Sequence, residues 1–291
     1  METYSIAQVE TLTGIHAHTL RIWEKRYGFI IPERTDTKIR YYSDAQLKTL
    51  LNVSVLLDAG FKISKLAKMS HSELSAVSLE IQSSTASDQT DVKALIISMI
   101  DFEESRFEEI FQISVIRRGL LQTIVSVIYP FLHQVGVLWS VTKVMPAQEH
   151  FISNLIRRKL LAAIDALPTS KHKQAKKVIL FLPENEHHEI GLLLAYYIFK
   201  NAGWMTIYLG ANVPIENITV VEKQTDSNVL CTLLISPVID PIKRFSNILE
   251  NINTELVVSG NPALLPKQSK GPKYHRIDSP NDLISFVGNY K

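Results

Sequence analysis

The chain contains one cysteine, Cys231. No intramolecular disulfide can form, and a zinc cluster built on cysteines is excluded. Lying in an apolar stretch, that thiol reads as an inert core residue. No apolar run approaches the ~18 uninterrupted residues that a membrane span needs. Met1–Ile6 has no basic region leading into an apolar core, so no secretory signal is expected and the expected compartment is the cytoplasm. The Walker loop, the G-x-G-x-x-G fingerprint, the G-x-S-x-G elbow and H-E-x-x-H are also missing. No enzymatic activity is therefore expected. Neither sign of charge dominates: 31 Lys and Arg face 29 Asp and Glu, a formal net charge of +2. That balance points to no partner, although a small basic face is compatible with it. What is present is ordinary folded protein. The 291 residues, 46% hydrophobic and 21% charged, suit two or three domains.

Three segments follow along the chain. Residues 1–75 read as short helices around a turn-rich break. Ser5 caps Ile6–Thr13, which stops at Gly14; a second helix near His18–Arg26 ends at Gly28. The stretch Pro32–Tyr42 suits a small hairpin, and Ser43 caps a helix from Asp44 towards Ala59, followed by a shorter one from Ser64. Residues 76–90, above all Ser83–Thr90, read as a linker. From 91 to 170 the periodicity is helical, with Ile96, Ile100, Phe107, Ile110 and Phe111 at i, i+3/i+4 spacing. Further helices are expected near Gly119–Ile128, from Phe131 into Trp139 and from Ala147 to Leu161, punctuated by Pro130 and Pro146. Four helices joined by short turns imply an antiparallel bundle. From 176 to 291, apolar strands (Val178–Leu182, Met205–Leu209, Val229–Ser236, Leu256–Ser259) alternate with helices (Ile190–Asn201, Ile215–Thr225, Ile242–Asn251). That alternation predicts a doubly wound parallel sheet.

The first constellation is His18–Arg26 with the hairpin behind it. A helix-turn-helix lays its second helix in the major groove while neighbouring elements hold phosphates. Thr19, Arg21, Lys25 and Arg26 lie on the helix, and Arg34, Lys38, Arg40 and Tyr41 on the hairpin. Charge alone leaves an ordinary helical cap with a solvated face equally open. The residue order separates the two. Tyr4-Ser5-Ile6, Gly14, Thr19-Leu20-Arg21, Trp23-Glu24, Arg26-Tyr27-Gly28, Pro32, Arg34 and Arg40-Tyr41-Tyr42-Ser43 together resemble the MerR family of winged-helix transcription regulators. The resemblance covers about 70 residues and implies promoter DNA as a partner. It places Arg21 and Lys25 in or beside the groove and Arg40 and Tyr41 on the wing, with Leu20 and Trp23 as packing residues. Ile22 stands where many members carry a tyrosine that touches the backbone.

The second constellation is Glu186-His187-His188-Glu189-Ile190-Gly191, directly after the first apolar strand. Loops at the carboxyl ends of parallel strands are where doubly wound sheets take ligands. A carboxylate two residues before a histidine can orient the imidazole and raise its basicity towards a metal, and Gly191 would let a ligand approach the backbone. By itself this six-residue pattern is better read as a polar loop with no ligand. In its place it resembles the D/E-x-H-x-x-G signature of methionine-synthase-like corrinoid domains, and Tyr208–Pro214 resembles the next strand end of that fold. The resemblance implies cobalamin, with His188 as the lower axial ligand of cobalt and Glu186 as its partner. Ser236 would line the pocket for the nucleotide tail, with Gly260 beside it. Ser236-Pro237-Val238 and Ser259-Gly260 depart from that family's S-x-L and Gly-Gly.

In the helical segment, Trp139 precedes Glu149-His150 by nine intervening residues. A core tryptophan and ordinary polar residues at a helix start would give the same pattern. With the other two constellations, W-x9-EH resembles the CarH/LitR type of cobalamin-dependent photoreceptor repressors. That resemblance implies that Trp139 caps the upper cobalamin face, with Glu149 and His150 near the adenosyl group. It also implies a homo-oligomer whose state follows adenosylcobalamin and light. In light-responsive members a histidine after the tryptophan takes cobalt; this chain has Ser140. Two other readings use the same residues: a MerR-like regulator whose sensor has lost cobalamin and answers a protein partner, and a corrinoid carrier module of a methyltransferase.

Overall fold

The computed structural model describes residues 3–84, 87–140, 146–170, 175–236, 248, 250–262, 264–265 and 274–290, with side chains apart from those of 82–84 and 137–140. The chain divides into two compact units, Met1–Asn154 and Leu155–Lys291.

The first unit opens with strand β1 (Thr3–Ser5) and helix α1 (Ile6–Thr13). Ser5 and Gln8 form a reciprocal capping box, which settles where α1 begins. Helix α2 (Ala17–Tyr27) buries Leu20 and Trp23 and ends at Gly28. The hairpin is β2 (Glu33–Arg34) and β3 (Arg40–Ser43), and β1 adds to its other side, giving the order β1-β3-β2. Tyr4 pairs with Tyr42 across that sheet, and both rings are buried. Ser43 repeats the capping box with Gln46 at the start of α3 (Asp44–Asp58). α4 (Ile63–Leu66) and α5 (His71–Ser84) follow. The stretch read as a linker is therefore helical over 76–84, and α6 (Asp88–Asp101) already begins at Asp88; residues 85 and 86 lie outside the described ones.

The bundle segment does have four helical runs, but its breaks fall elsewhere than proline suggests. Phe102, at φ 55°, ends α6 in the left-handed region, and α7 (Glu104–Arg118) starts afresh. The single helix expected through Ile96–Phe111 is two. Conversely, Pro130 breaks nothing. α8 (Leu120–Thr123), a π turn (Ile124–Ile128) and α9 (Tyr129–Ser140) run on without interruption. Within the π turn the Tyr129 amide reaches back five residues to the Ile124 carbonyl. The donor that Pro130 lacks thus falls where the ladder is already shifting register. α10 (Pro146–Ala166) starts with its proline in the first turn, where no amide partner is lost. It spans the boundary between the units.

Among the described residues the second unit has five parallel strands in the order β5-β4-β6-β7-β8. They are β4 (Lys177–Pro183), β5 (Met205–Val213), β6 (Val229–Leu234), β7 (Glu255–Gly260) and β8 (Tyr274–Ile277). Its described helices include α11 (Glu189–Asn201), α12 (Ile215–Thr225) and a last one, Pro280–Asn289. β8 and the final helix were not expected from the sequence. Of the expected helix Ile242–Asn251, only Ile248, Glu250 and Asn251 are described, all helical. Ile179, Phe181, Leu230, Leu256 and Val258 form the core beneath α12, and α11 packs against β4, β5 and β6. The strand order reverses at β4, so the crevice between the carboxyl ends of β4 and β6 is the switch point where such sheets take ligands. Among the described residues, no helix is long and apolar enough to cross a membrane.

Candidate functional site

On the head, α2 turns Leu20 and Trp23 inward, leaving Arg21, Ile22, Lys25 and Arg26 exposed and Thr19 half-buried. Thr19 contacts His18 Nε2 at 3.3 Å, and the Arg26 guanidinium lies over the Tyr27 ring, 5.4 Å from its centre. Lys38 sits exposed near the hairpin tip at φ 63°. Two wing arginines are already engaged. Glu24 accepts from Arg34 Nη2 and from Arg40 Nε, each at 2.7 Å, and Tyr41 donates to Glu33 at 2.7 Å. A single acid on α2 therefore fixes the hairpin against that helix. The sequence signal for Glu24 is one carboxylate among the cations of α2, with two arginines on the hairpin to meet it.

Burial opposes ionisation of Glu24, but hydrogen bonds from Arg40 and Arg34 outweigh it and hold the carboxyl below its usual 4.5. The clamp is therefore complete above pH 4.5 and is lost as pH falls through the lower folded value. Replacing Glu24 by Gln should cost about 1 kcal/mol, a small sum because the arginines are partly solvated. It should also flatten the acid limb of the stability profile of the first unit; an unchanged limb would show that the clamp is not formed in solution.

At the switch point, the loop after β4 folds around Glu186, whose side chain is 0% exposed. Oε1 accepts from the His187 and His188 amides (3.1 and 3.3 Å), from His188 Nδ1 (2.6 Å) and from the Ser236 hydroxyl (2.9 Å). Oε2 accepts from the Ile235 and Ser236 amides, both at 2.8 Å. Burial alone would raise this carboxyl, yet the bonds from His188, the Ser236 and Ile235 amides and the Ser236 hydroxyl hold it far below the ordinary carboxylate range. An ionised carboxylate only accepts, so the proton between the two residues belongs to His188 Nδ1. In the neutral imidazole this tautomer leaves the lone pair on Nε2, on a side chain 46% exposed. Of the two adjacent histidines, it is the His188 ring that engages Glu186.

Both glycines allow close packing against β6. A Cβ on Gly191 would lie 2.4 Å from Leu233 Cδ2, so this glycine lets α11 sit close on β6. Gly191→Ala should cost roughly 1–3 kcal/mol, because Leu233 can shift only in part; a urea midpoint equal to the parent's would contradict the close packing. A Cβ on Gly260 would meet backbone, 2.1 Å from the Leu234 carbonyl oxygen. Ser236 spends its hydroxyl on Glu186 rather than leaving it free, while Pro237 and Val238 lie outside the described residues.

Glu149 and His150 open α10, with His150 Nδ1 2.8 Å from Glu149 Oε2 and the imidazole exposed. Trp139 lies in α9, and its side chain is outside those described, as is that of Ser140. Sequence reasoning missed a cluster beside the loop. Tyr208 donates to Glu189 Oε1 at 2.9 Å, and Arg157 pairs with the same carboxylate. Burial, and then the bond to Glu189, push the Tyr208 phenol well above its usual range. Cys231 is buried with its thiol pushed up to about 12. Among the described residues no group of three or more His, Cys, Asp or Glu could hold a bare metal ion. A single imidazole suits a metal whose other ligands come with it.

Comparison with known proteins matches two stretches of the chain, the helix-turn-helix and the helical segment that follows it. Residues 4–73 match the profile of the MerR HTH family regulatory protein, and residues 92–163 that of the B12 binding domain. The solved monomethylamine corrinoid protein of Methanosarcina barkeri superposes with a TM-score of 0.54 at 13% identity, covering 69% of this chain and 98% of that one. That likeness is one of fold. The chain thus joins a segment of MerR helix-turn-helix type to one of B12 binding type. It is homologous to the HTH-type transcriptional repressors CarH and CarA of Myxococcus xanthus. Identity to CarH is 28% over 222 residues, 74% of this chain and 73% of that one. Identity to CarA is 29% over 214 residues, covering 73% and 69%.

Proposed function

We propose that this chain is a transcriptional regulator that binds promoter DNA through residues 1–75 and senses cobalamin through the bundle (91–170) and the α/β segment (176–291). The observation that carries the reading is the Glu186–His188 pair at the switch point, with Nδ1 tied and Nε2 carrying a lone pair. That donor chemistry fits cobalamin. When bound, the corrin would supply a cobalt centre that an imidazole nitrogen can ligate. In this reading His188 offers Nε2 to cobalt, Glu186 fixes its tautomer and Ser236 fixes Glu186. Gly260 keeps the end of β7 close against β6 beside that loop. Trp139, Glu149 and His150 are assigned to the same ligand on their sequence pattern. Thr19, Arg21, Lys25, Arg26, Arg34, Lys38, Arg40 and Tyr41 are assigned to DNA.

We further propose adenosylcobalamin as the form bound and a homo-oligomer as the DNA-binding species, since paired heads match two-fold half-sites. With serine at 140, a light response has no imidazole at that position, and illumination is an arm of the test. Protein mixed with adenosylcobalamin in the dark is desalted, its spectrum recorded, and its promoter band shift and size compared before and after light. Retained cofactor together with a specific shift supports the reading; a shift with no retained cofactor leaves a regulator of another signal. Within this scheme Arg21→Ala should weaken specific binding by roughly 1–3 kcal/mol. An equal loss on random DNA would remove base reading from Arg21.

A further inference from the structure

Lys93 is an unusual residue for the middle of a bundle helix. It lies on α6 and is 7% exposed, and a buried ammonium is tolerated only when paired and hydrogen-bonded. Its partners are not in the bundle. Nζ donates to Ser54 Oγ and to Asp58 Oδ2, both on α3 and both at 2.7 Å. Ser54 in turn donates to the Thr13 carbonyl at 2.5 Å. Thr13 is the last residue of α1, and its hydroxyl accepts from the Ile15 amide at 3.1 Å while donating to Val9 at 2.7 Å. Because Ser54 Oγ accepts from Lys93, its one proton is directed to Thr13. The charge on α6 thus orders a chain of bonds that ends in the turn of the helix-turn-helix, immediately before α2. A second tie, Lys48 Nζ to Asp101 Oδ1 at 2.5 Å, joins α3 and α6 at their other ends and is not part of that chain.

We infer that Lys93 is the positioning residue by which the bundle holds the helix-turn-helix turn, and so the residue through which a change in the bundle reaches the DNA-reading helix. The second half of the inference rests on the bundle's being the cobalamin sensor; the first half does not. Hydrogen-bonded chains strengthen one another at low dielectric, and a link of this kind transmits a state only if both parts have a stake in it. Here α6 has its buried charge at stake and the turn has its terminal carbonyl.

The test uses the full chain with Lys93→Met, Ser54→Ala and Lys48→Met. Hydrogen exchange over residues 14–20 is measured without ligand. The ratio of DNA affinities with and without adenosylcobalamin is measured beside cofactor retention. Lys93→Met and Ser54→Ala should speed exchange of that segment about tenfold and bring the affinity ratio towards one, with retention unchanged. Lys48→Met, which cuts the other tie, should leave the exchange of residues 14–20 as in the parent. If Lys48→Met behaves like Lys93→Met, the contact is a structural tie alone and the inference is overturned; so too if neither Lys93→Met nor Ser54→Ala alters exchange. Should Lys93→Met fail to fold, Ser54→Ala decides. A parent protein that retains no cofactor contradicts the sensor reading, and the exchange comparison still decides the positioning role.

Discussion

Glu186→Gln is expected to weaken cobalamin retention by about 10- to 100-fold and to destabilise the Leu155–Lys291 unit by roughly 3 kcal/mol. The amide has one acceptor where the carboxylate had two. Placed with its oxygen towards the Ile235 and Ser236 amides, it turns an NH2 towards His187 N–H, His188 N–H and His188 Nδ1. Nδ1 must then accept, which moves the imidazole proton to Nε2 and removes the lone pair that faces a metal. Flipped the other way, the amide restores the tautomer but sets two donors against two backbone donors now 2.8 Å from Oε2. Either arrangement strands buried groups. The check is retention of adenosylcobalamin after desalting, beside a urea melt of the apoprotein. Full retention by Glu186→Gln would remove Glu186 from the site, and an unchanged urea midpoint would show that its six contacts carry little.

The second large effect is expected at Gly260, in a residue that touches none of the polar groups of the loop. Gly260→Ala should cost about 4 kcal/mol or more. The residue holds φ 139°, and the new methyl would lie 2.1 Å from the Leu234 carbonyl oxygen, 2.7 Å from its carbon and 2.9 Å from its nitrogen. No rotamer relieves a clash with backbone. The carboxyl ends of β6 and β7 must separate where Leu234 and Gly260 are paired, and Ile235 and Ser236, which donate to Glu186, follow directly. Gly191→Ala, with a similar clash against a movable leucine, should be milder. A urea midpoint higher for Gly260→Ala than for Gly191→Ala would contradict this ranking.

What the sequence revealed was the part governed by neighbours in the chain. Ser5 and Ser43 announce α1 and α3 because a capping box needs only residues three apart. The switch from helical to strand–helix periodicity near Lys177 gave the parallel sheet for the same reason. The bundle was harder. Pro130 reads as a break, but a π turn upstream absorbs its missing donor, while the real break at Phe102 carries neither glycine nor proline. Pairing across long separations was illegible. Nothing in Thr3–Ser5 indicates that it will join Arg40–Ser43, and the short β8 has no periodicity of its own.

The site shows the same division. Glu186 and His188 are two residues apart and could be read from the motif. The contacts that make Glu186 a buried anion come from Ile235 and Ser236, about 50 positions on. That the Ser236 hydroxyl and amide both serve the carboxylate was not legible from its place in the motif. Glu24 was visible as a letter of the family pattern, but its grip on Arg34 and Arg40 required the hairpin to fold back onto α2.

The central claim is that His188 Nε2 holds cobalt, and electron paramagnetic resonance of the Co(II) cofactor state tests it directly. A single axial 14N splits each cobalt line into a triplet, and 15N into a doublet, because their nuclear spins differ. Protein grown with 15N-labelled histidine and loaded with unlabelled cobalamin should show doublets, and His188→Ala should lose them. Triplets that persist in the labelled protein would contradict the account, because that nitrogen would then come from the cofactor's own base.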